Sequence, residues 1–410
     1  MASENIITSI DIGTSKIRTL IGGFAEEKSR DFHILWVWVS NSYAIRKWNI
    51  LDMEEFKSNL DNSLEEAEKM SGEQVTGVNI SFNSSSFDVI TSKGIIAISG
   101  DEVSQEDIDR VLDMARNGVD LPNREILKVV PEYFIVDLEE GVKNPIGMSA
   151  RKLEVIANIF SMNKNILGNM KKAVADVGIE IYDVYPNLLV APEGVLTKRQ
   201  KELGVVCIDV WASTTWVTVF EEGSLIFSSV IPIGWDSVTN DIALGARTAI
   251  DIAEKLKINY AEVGLNSENT KEQEIELSRI SPNEEGSISN IYLSQIISAR
   301  YEEIFYFVSQ ELKKIGRDGM LPEWAVLVGG AVKQQWLIDL AKKTLRLPVF
   351  IGLPVEKEAM SETSISDPVF AGVVGSLILG NRYGHRWMPL NINFTGMFQS
   401  LIKVFRKILP

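Results

Sequence analysis

Two short stretches carry the residue types that could handle a phosphate. Ile10-Asp11-Ile12-Gly13-Thr14-Ser15 recurs 198 residues later as Ile208-Asp209-Val210-Trp211-Ala212-Ser213-Thr214-Thr215. In both, an apolar run ends around a carboxylate, and a tight turn with hydroxyls leads into a second apolar run. Turn N–H groups and the hydroxyls of Thr14, Ser15, Ser213, Thr214 and Thr215 can donate to phosphate oxygens. A glycine such as Gly13 lets the backbone approach closely. Asp11 and Asp209 suit a hydrated Mg²⁺, which keeps several waters and is held by one or two carboxylates. Gly329-Gly330, after an apolar run and before a helix, can admit an adenosine against the backbone and offer helix N–H groups to phosphate. Neither G-x-x-x-x-G-K-[ST] nor G-x-G-x-x-G occurs, so no P-loop or dinucleotide fingerprint competes. Alone, each Asp-turn is a plain turn. Paired in a repeated unit, they favour nucleotide binding.

The repeat sets the architecture, because a recurring strand-turn-strand unit implies two related halves. Residues 6–12, 17–24 and 33–39 read as a β-meander, 52–70 as a helix with Phe56, Leu60, Leu64 and Ala67 on one face, and 75–82 as a strand. A segment of different texture follows, 84–162. It has strands near 87–91 and 94–98, a helix capped by Ser104, and long strands at 125–137 and 152–160. It reads as an inserted α+β subdomain. The first half spans 5–83 and resumes over 163–195; the second spans 196–380, with a smaller subdomain near 236–315. Residues 381–393 read as a linker. The chain is therefore α/β in class.

Composition narrows the function. A chain of 410 residues exceeds one compact core. A net charge of −15 argues against a nucleic-acid partner, which needs clustered Lys and Arg. The single cysteine, Cys207, lies in an apolar run and reads as a buried small hydrophobe. His33 and His385 are too few for a histidine metal site. The start lacks a basic n-region and no window reaches 18 apolar residues, so a cytoplasmic protein is expected.

Charge is unevenly placed. From Asn381 onward there are five cations and no acid, so the preceding residues carry −20, which is −15 less the +5 of the end. Within 394–410, Phe394, Met397, Phe398, Leu401, Ile402, Phe405, Ile408 and Leu409 fall on one side, the run from Met397 covering an arc of about 140° at helical spacing. Lys403, Arg406 and Lys407 lie opposite. Aromatics on one face and cations on the other mark an interfacial helix, here a membrane-targeting one.

These motifs together resemble the FtsA family of bacterial cell-division actin homologues over nearly the whole chain. Ser9 to Lys16 resembles the first phosphate loop. The run from Arg124 to Ser149 resembles the family's own inserted subdomain, and Leu203 to Thr215 resembles the second loop. Ile231-Pro232-Ile233-Gly234 resembles the segment after it, Ala253-Glu254-Lys255-Leu256-Lys257 the helix with ribose and adenine contacts, and Val326 to Ala331 the adenosine motif. The resemblance implies an actin-like (ribonuclease H-like) duplicated fold with a C-terminal amphipathic helix. It implies ATP with Mg²⁺ at Asp11 and Asp209, phosphates between Gly13–Lys16 and Ser213–Thr215, a nucleotide contact at Gly234, and adenosine near Glu254, Lys257 and Gly329-Gly330-Ala331-Val332. The implied function is self-association and tethering of the FtsZ polymer to the cytoplasmic face of the membrane at the division site, with at most slow ATP hydrolysis. No residue stands out as a catalytic base. An actin-fold small-molecule kinase and a pilus-assembly actin homologue are the alternatives.

One residue type departs from that pattern. Trp211 stands where the first copy has Gly13, and Trp36, Trp38, Trp48, Trp216, Trp235, Trp324, Trp336 and Trp387 also stand where glycine reads naturally. Nine UGA codons, read as glycine in the cell and as tryptophan on conceptual translation, would account for all of them; the alternative is a degenerate pseudo-ATPase that has filled its own site. Trp211 and Trp235 should then protrude into or beside the nucleotide cleft instead of packing in a core.

Overall fold

The computed structural model describes residues 5–26, 29–42, 44–46, 49–260, 262, 271–282, 284–333, 337–354, 358–359 and 365–383. The amphipathic segment 394–410, with Trp48, Trp336 and Trp387, lies outside them.

The chain opens as β1 (Asn5–Ile12), β2 (Lys16–Phe24) and β3 (His33–Asn41), a small hairpin β4 (Ile45–Arg46) and β5 (Asn49–Ile50), helix α1 (Met53–Ser71) and β6 (Gly77–Phe82). Asp52 starts α1 by accepting from the N–H groups of Glu54 and Glu55. Gly72 ends it in the left-handed region that glycine adopts freely. Phe56, Leu60, Leu64 and Ala67 are buried, as their spacing predicts.

The inserted subdomain comprises β7 (Asp88–Ala97), α2 (Gln105–Asn117), β8 (Arg124–Val136), β9 (Glu139–Val142) and β10 (Lys152–Asn163), an antiparallel sheet in the order β7-β10-β8-β9. Ser104 and Asp107 cap α2 reciprocally. Where the sequence reads two strands around a break at 92–93, the structure has one. The small residues are there for α2: the Ser92 hydroxyl donates to Ala115 O at 2.7 Å, and a Cβ on Gly94 would lie 2.1 Å from Val111 O. Val103, Ile108, Val111, Leu153 and Val155 form a separate core for this unit.

The first half resumes with α3 (Lys164–Asp176), β11 (Glu180–Pro186), α4 (Asn187–Val195) and α5 (Lys198–Leu203). The second contains β12 (Val205–Val210), β13 (Thr215–Glu221), β14 (Ser224–Ile231), α6 (Trp235–Ala246), α7 (Ile250–Tyr260), β15 (Glu274–Glu276), β16 (Ser287–Ser289), α8 (Asn290–Lys314), β17 (Ala325–Val328), α9 (Leu337–Leu345) and β18 (Val349–Ile351). Then come β19 (Glu358–Ala359) and α10 (Ala371–Tyr383).

The two main sheets repeat each other. One is ordered β11-β6-β1-β2-β3-β19, the other β14-β13-β12-β17-β18. In each, a three-strand antiparallel meander continues into two parallel strands beside its first member. Register fixes the equivalence. Ile12 pairs with Ile17 and Asp11 with Arg18, as Val210 pairs with Thr215 and Asp209 with Trp216. Each hairpin turn is thus four residues, 13–16 and 211–214.

The end of the second half departs from the sequence reading, which placed everything to 380 there. β19 pairs with β3, and α10 packs on the first sheet through Val373, Val374, Leu377 and Ile378 against Ile7, Leu20, Phe24 and Ile34. The physical reason is that α10 is apolar all round. It carries no periodicity to say which sheet it covers. α10 crosses α4 at very short range, since a Cβ on Gly375 would lie 1.7 Å from Val190 O. Gly375→Ala should therefore cost about 3 kcal/mol. Urea unfolding checks it: the midpoint should fall with an unchanged slope.

Candidate functional site

The repeat brings the two Asp-turns face to face. Asp11 ends β1 almost fully buried, and its carboxylate accepts from Arg18 Nη1 (3.3 Å), Asn187 Nδ2 (3.2 Å) and Ser81 Oγ (3.4 Å). Burial still holds its pKa above the usual carboxylate range, although Arg18 pulls it down. Asp209 ends β12 and is as buried, but neither carboxylate oxygen has a hydrogen-bond partner. Burial pushes it up to about 7, and the charge of Asp11 adds to that. The Trp211 indole, Arg18 and the Asn83 side chain hold the shift back. Neither indole nor amide reaches it with ordinary hydrogen-bond geometry.

Each turn closes the same way. The Gly13 N–H donates to Lys16 O at 2.8 Å, and the Trp211 N–H donates to Thr214 O at 2.9 Å. Gly13, Thr14, Ser15, Lys16, Arg18, Trp211, Ala212 and Ser213 line the crevice between the turns. Its cavity measures about 20 Å³, room for roughly one water. Lys16 Nζ bonds Asn41 Oδ1 at the rim.

Other expected site residues are placed differently. Thr214 and Thr215 are fully buried. Thr214 Oγ1 accepts from the Trp216 indole (2.7 Å), and Thr215 Oγ1 donates to Ile233 O (2.9 Å). Thr214 is engaged by the Trp216 indole and Thr215 by a backbone carbonyl, and neither lines the crevice. Gly234 is required where it stands: a Cβ there would lie 2.2 Å from Trp211 O. It lets α6 begin against the turn, with Trp235 N–H on Trp211 O and Asp236 N–H on Ala212 O.

Glu254 and Lys257 of α7 are paired, and Thr239 Oγ1 bonds both. The Lys257 ammonium is fully buried and lies 4.5 Å from the centre of the Trp235 ring. Burial lowers its pKa against the pull of Glu254. Gly329 has φ +95, and a Cβ would meet Val210 O at 2.5 Å and Asp209 Oδ1 at 2.7 Å. Gly330 is exposed, whereas Ala331 and Val332 are buried, with Ala331 O accepting from Tyr301 OH. Sequence reasoning missed Arg18, Asn187 and Ser81 as the partners of Asp11. A cation inside the apolar run Ile17–Ile21 was the available signal for Arg18.

Two meanders with facing Asp-turns, each continued by parallel strands, define an actin-like fold. Solved structures agree at the level of fold. The PilM–PilN type IV pilus biogenesis complex matches with a TM-score of 0.62 at 16% identity, covering 92% of this chain and 98% of that one. MreB5 of Spiroplasma citri bound to AMPPNP matches with a TM-score of 0.54 at 13% identity, covering 99% of each chain. Two family signatures match the sequence, "SHS2 domain inserted in FTSA" over residues 85–161 and "Cell division protein FtsA" over 206–375. Cell division protein FtsA of Pseudomonas aeruginosa is 30% identical over 391 residues, covering 95% of this chain and 93% of the relative. That of Borreliella burgdorferi is 32% identical over 392 residues, with the same coverage. The chain belongs to the FtsA family of cell-division proteins.

Proposed function

We propose that this protein is a cell-division adaptor that self-associates and joins the FtsZ polymer to the inner face of the membrane at the division site. The observation that carries this reading is the FtsA-type subdomain at 85–161, set into a duplicated actin-like body whose relative matches over 95% of the chain. The tail supplies the membrane side of the argument. Residues 394–410 pair an apolar arc with Lys403, Arg406 and Lys407, and no acid opposes them. No helix of the described residues is long and apolar enough to cross a membrane. One short helix with three cations binds lipid weakly, so attachment depends on several copies in a polymer.

ATP and Mg²⁺ belong to the same reading, but this chain as written does not fit them. Asp209 offers two unpartnered oxygens beside the crevice, which suits a cation. Yet the space between the turns holds about one water, not a phosphate tail. No observation favours the kinase or pilus-assembly alternatives.

Flotation with vesicles rich in anionic phospholipid tests the proposal. The full chain should rise with the vesicles and carry FtsZ polymer with it. The chain lacking 394–410 should do neither and stay folded. A truncated protein that still floats, or an intact one that never does, would sink the proposal. Phe405→Glu should weaken flotation more than Lys403→Ala. The first puts an anion into the apolar arc, while a single cation contributes about 1 kcal/mol near such a surface.

A further inference from the structure

The bulkiest side chain lining the crevice stands where its symmetry mate is glycine. Gly13 and Trp211 hold the same place in the same four-residue turn, two residues after a buried Asp. In the first turn even a Cβ would be crowded, at 2.7 Å from Lys16 O. In the second the position carries an indole. That ring belongs to none of the hydrophobic clusters of the described residues. Its buried N–H acts on the Asp209 carboxylate but closes no hydrogen bond of ordinary geometry, though a buried Trp ordinarily makes one. Its contact with Arg18, 5.3 Å from the ring centre, draws the two halves together across the crevice.

A second tryptophan shows the same misfit by an independent measure. Trp324 has φ +76, in the left-handed region that a bulky side chain adopts only under strain. The other non-glycine residues with positive φ among the described ones are Asn, Asp, Glu and Arg. Trp324 is over a third exposed and stacks on Phe350 at the surface, so no core packing requires it. Trp216 and Trp235 are different. Trp216 is buried, its indole bonds Thr214, and it meets Phe87 edge-on at 5.4 Å. Trp235, expected beside the cleft, instead packs against the core of the second half, 5.6 Å from the Tyr301 ring.

We infer that positions 211 and 324 are built for glycine, that their tryptophans derive from UGA codons which the cell of origin reads as glycine, and that the polypeptide made there has an open phosphate cradle between residues 13–16 and 211–213. The inference rests on the nucleotide reading of the crevice. It separates residue 211, which closes the cradle, from the surrounding groups that would serve it.

The gene gives the first test. UGA at both positions is expected, and UGG at either overturns the inference. The second test is calorimetric titration of the full chain with Mg·ATP, as written and with Trp211→Gly and Trp324→Gly together. The chain as written should show no saturable binding. The double variant should bind at least tenfold more tightly, and Trp211→Ser, which opens the same space while keeping a Cβ, should recover part of that. If the chain as written binds as tightly as the variants, Trp211 is no plug. The inference then falls while the nucleotide reading stands. If every variant is folded by circular dichroism and none binds, both fall together, whereas flotation with FtsZ still judges the adaptor reading.

Discussion

Asp209→Asn should make the protein more stable at pH 8 by about 2 kcal/mol or more in Mg²⁺-free buffer, and leave it nearly unchanged at pH 4. The carboxyl group is buried at the end of β12, with both oxygens unpartnered and Asp11 close by. Burial is the largest cause of its rise from 3.8 to about 7. A group whose folded pKa is raised binds its proton more tightly in the native state than in the unfolded one. Its contribution is therefore fully present below about pH 4 and is lost as pH climbs to about 7. That rise corresponds to about 4 kcal/mol as a ceiling. Asparagine keeps the shape without the charge and removes that slope. Asp107 titrates in the opposite sense, since its cap bonds with Ser104 hold it near 2, so its effect falls below the same window. Melting temperatures at pH 4, 6 and 8 decide the matter. Parallel curves for parent and variant would mean that Asp209 keeps no excess proton when folded.

That cost explains why the candidate site was only half legible in the sequence. The strands, the turns and the duplication could be read because alternation and repetition are local properties. The β1–β3 meander, α1 and α2 with its Ser104 cap fall where the pattern places them. The carboxylates at 11 and 209 could be read for the same reason. What could not be read is direction and occupancy. Thr214 and Thr215 look like phosphate ligands in a string of hydroxyls. Which way each one faces depends on where the strand starts, and a one-residue shift exchanges the faces. Arg18 looks like an ordinary strand cation until the fold closes a carboxylate against it. α10 illustrates the remaining gap, because a helix buried on every side announces its burial and conceals its partner. The tryptophans are the converse case. Their oddity was visible in the repeat. The structure adds an indole at 211 that closes no ordinary hydrogen bond and the left-handed backbone at 324.

Lys128→Ala should be among the most damaging single changes in the described residues, at about 3–5 kcal/mol. Lys128 lies in the middle of β8, in the inserted subdomain, with a fully buried ammonium. It pairs with Asp183 of β11 and sits 4.4 Å from the centre of the Tyr185 ring, so one cation fastens the insertion to the edge of the first sheet. Burial lowers its pKa, while the Asp183 charge opposes that change. A buried pair of this kind gains little over a well-packed apolar pair, because desolvation offsets most of the attraction. Removing one member is far worse, since the carboxylate is left buried with its charge uncompensated. Lys128→Met, which restores length and bulk but not charge, should therefore recover little. Lys128→Met combined with Asp183→Leu should approach the parent's stability. Urea midpoints for the single and double variants make the comparison. If the double variant is as unstable as Lys128→Ala, the interface depends on the lysine's own shape and contacts instead of on the neutralisation of Asp183.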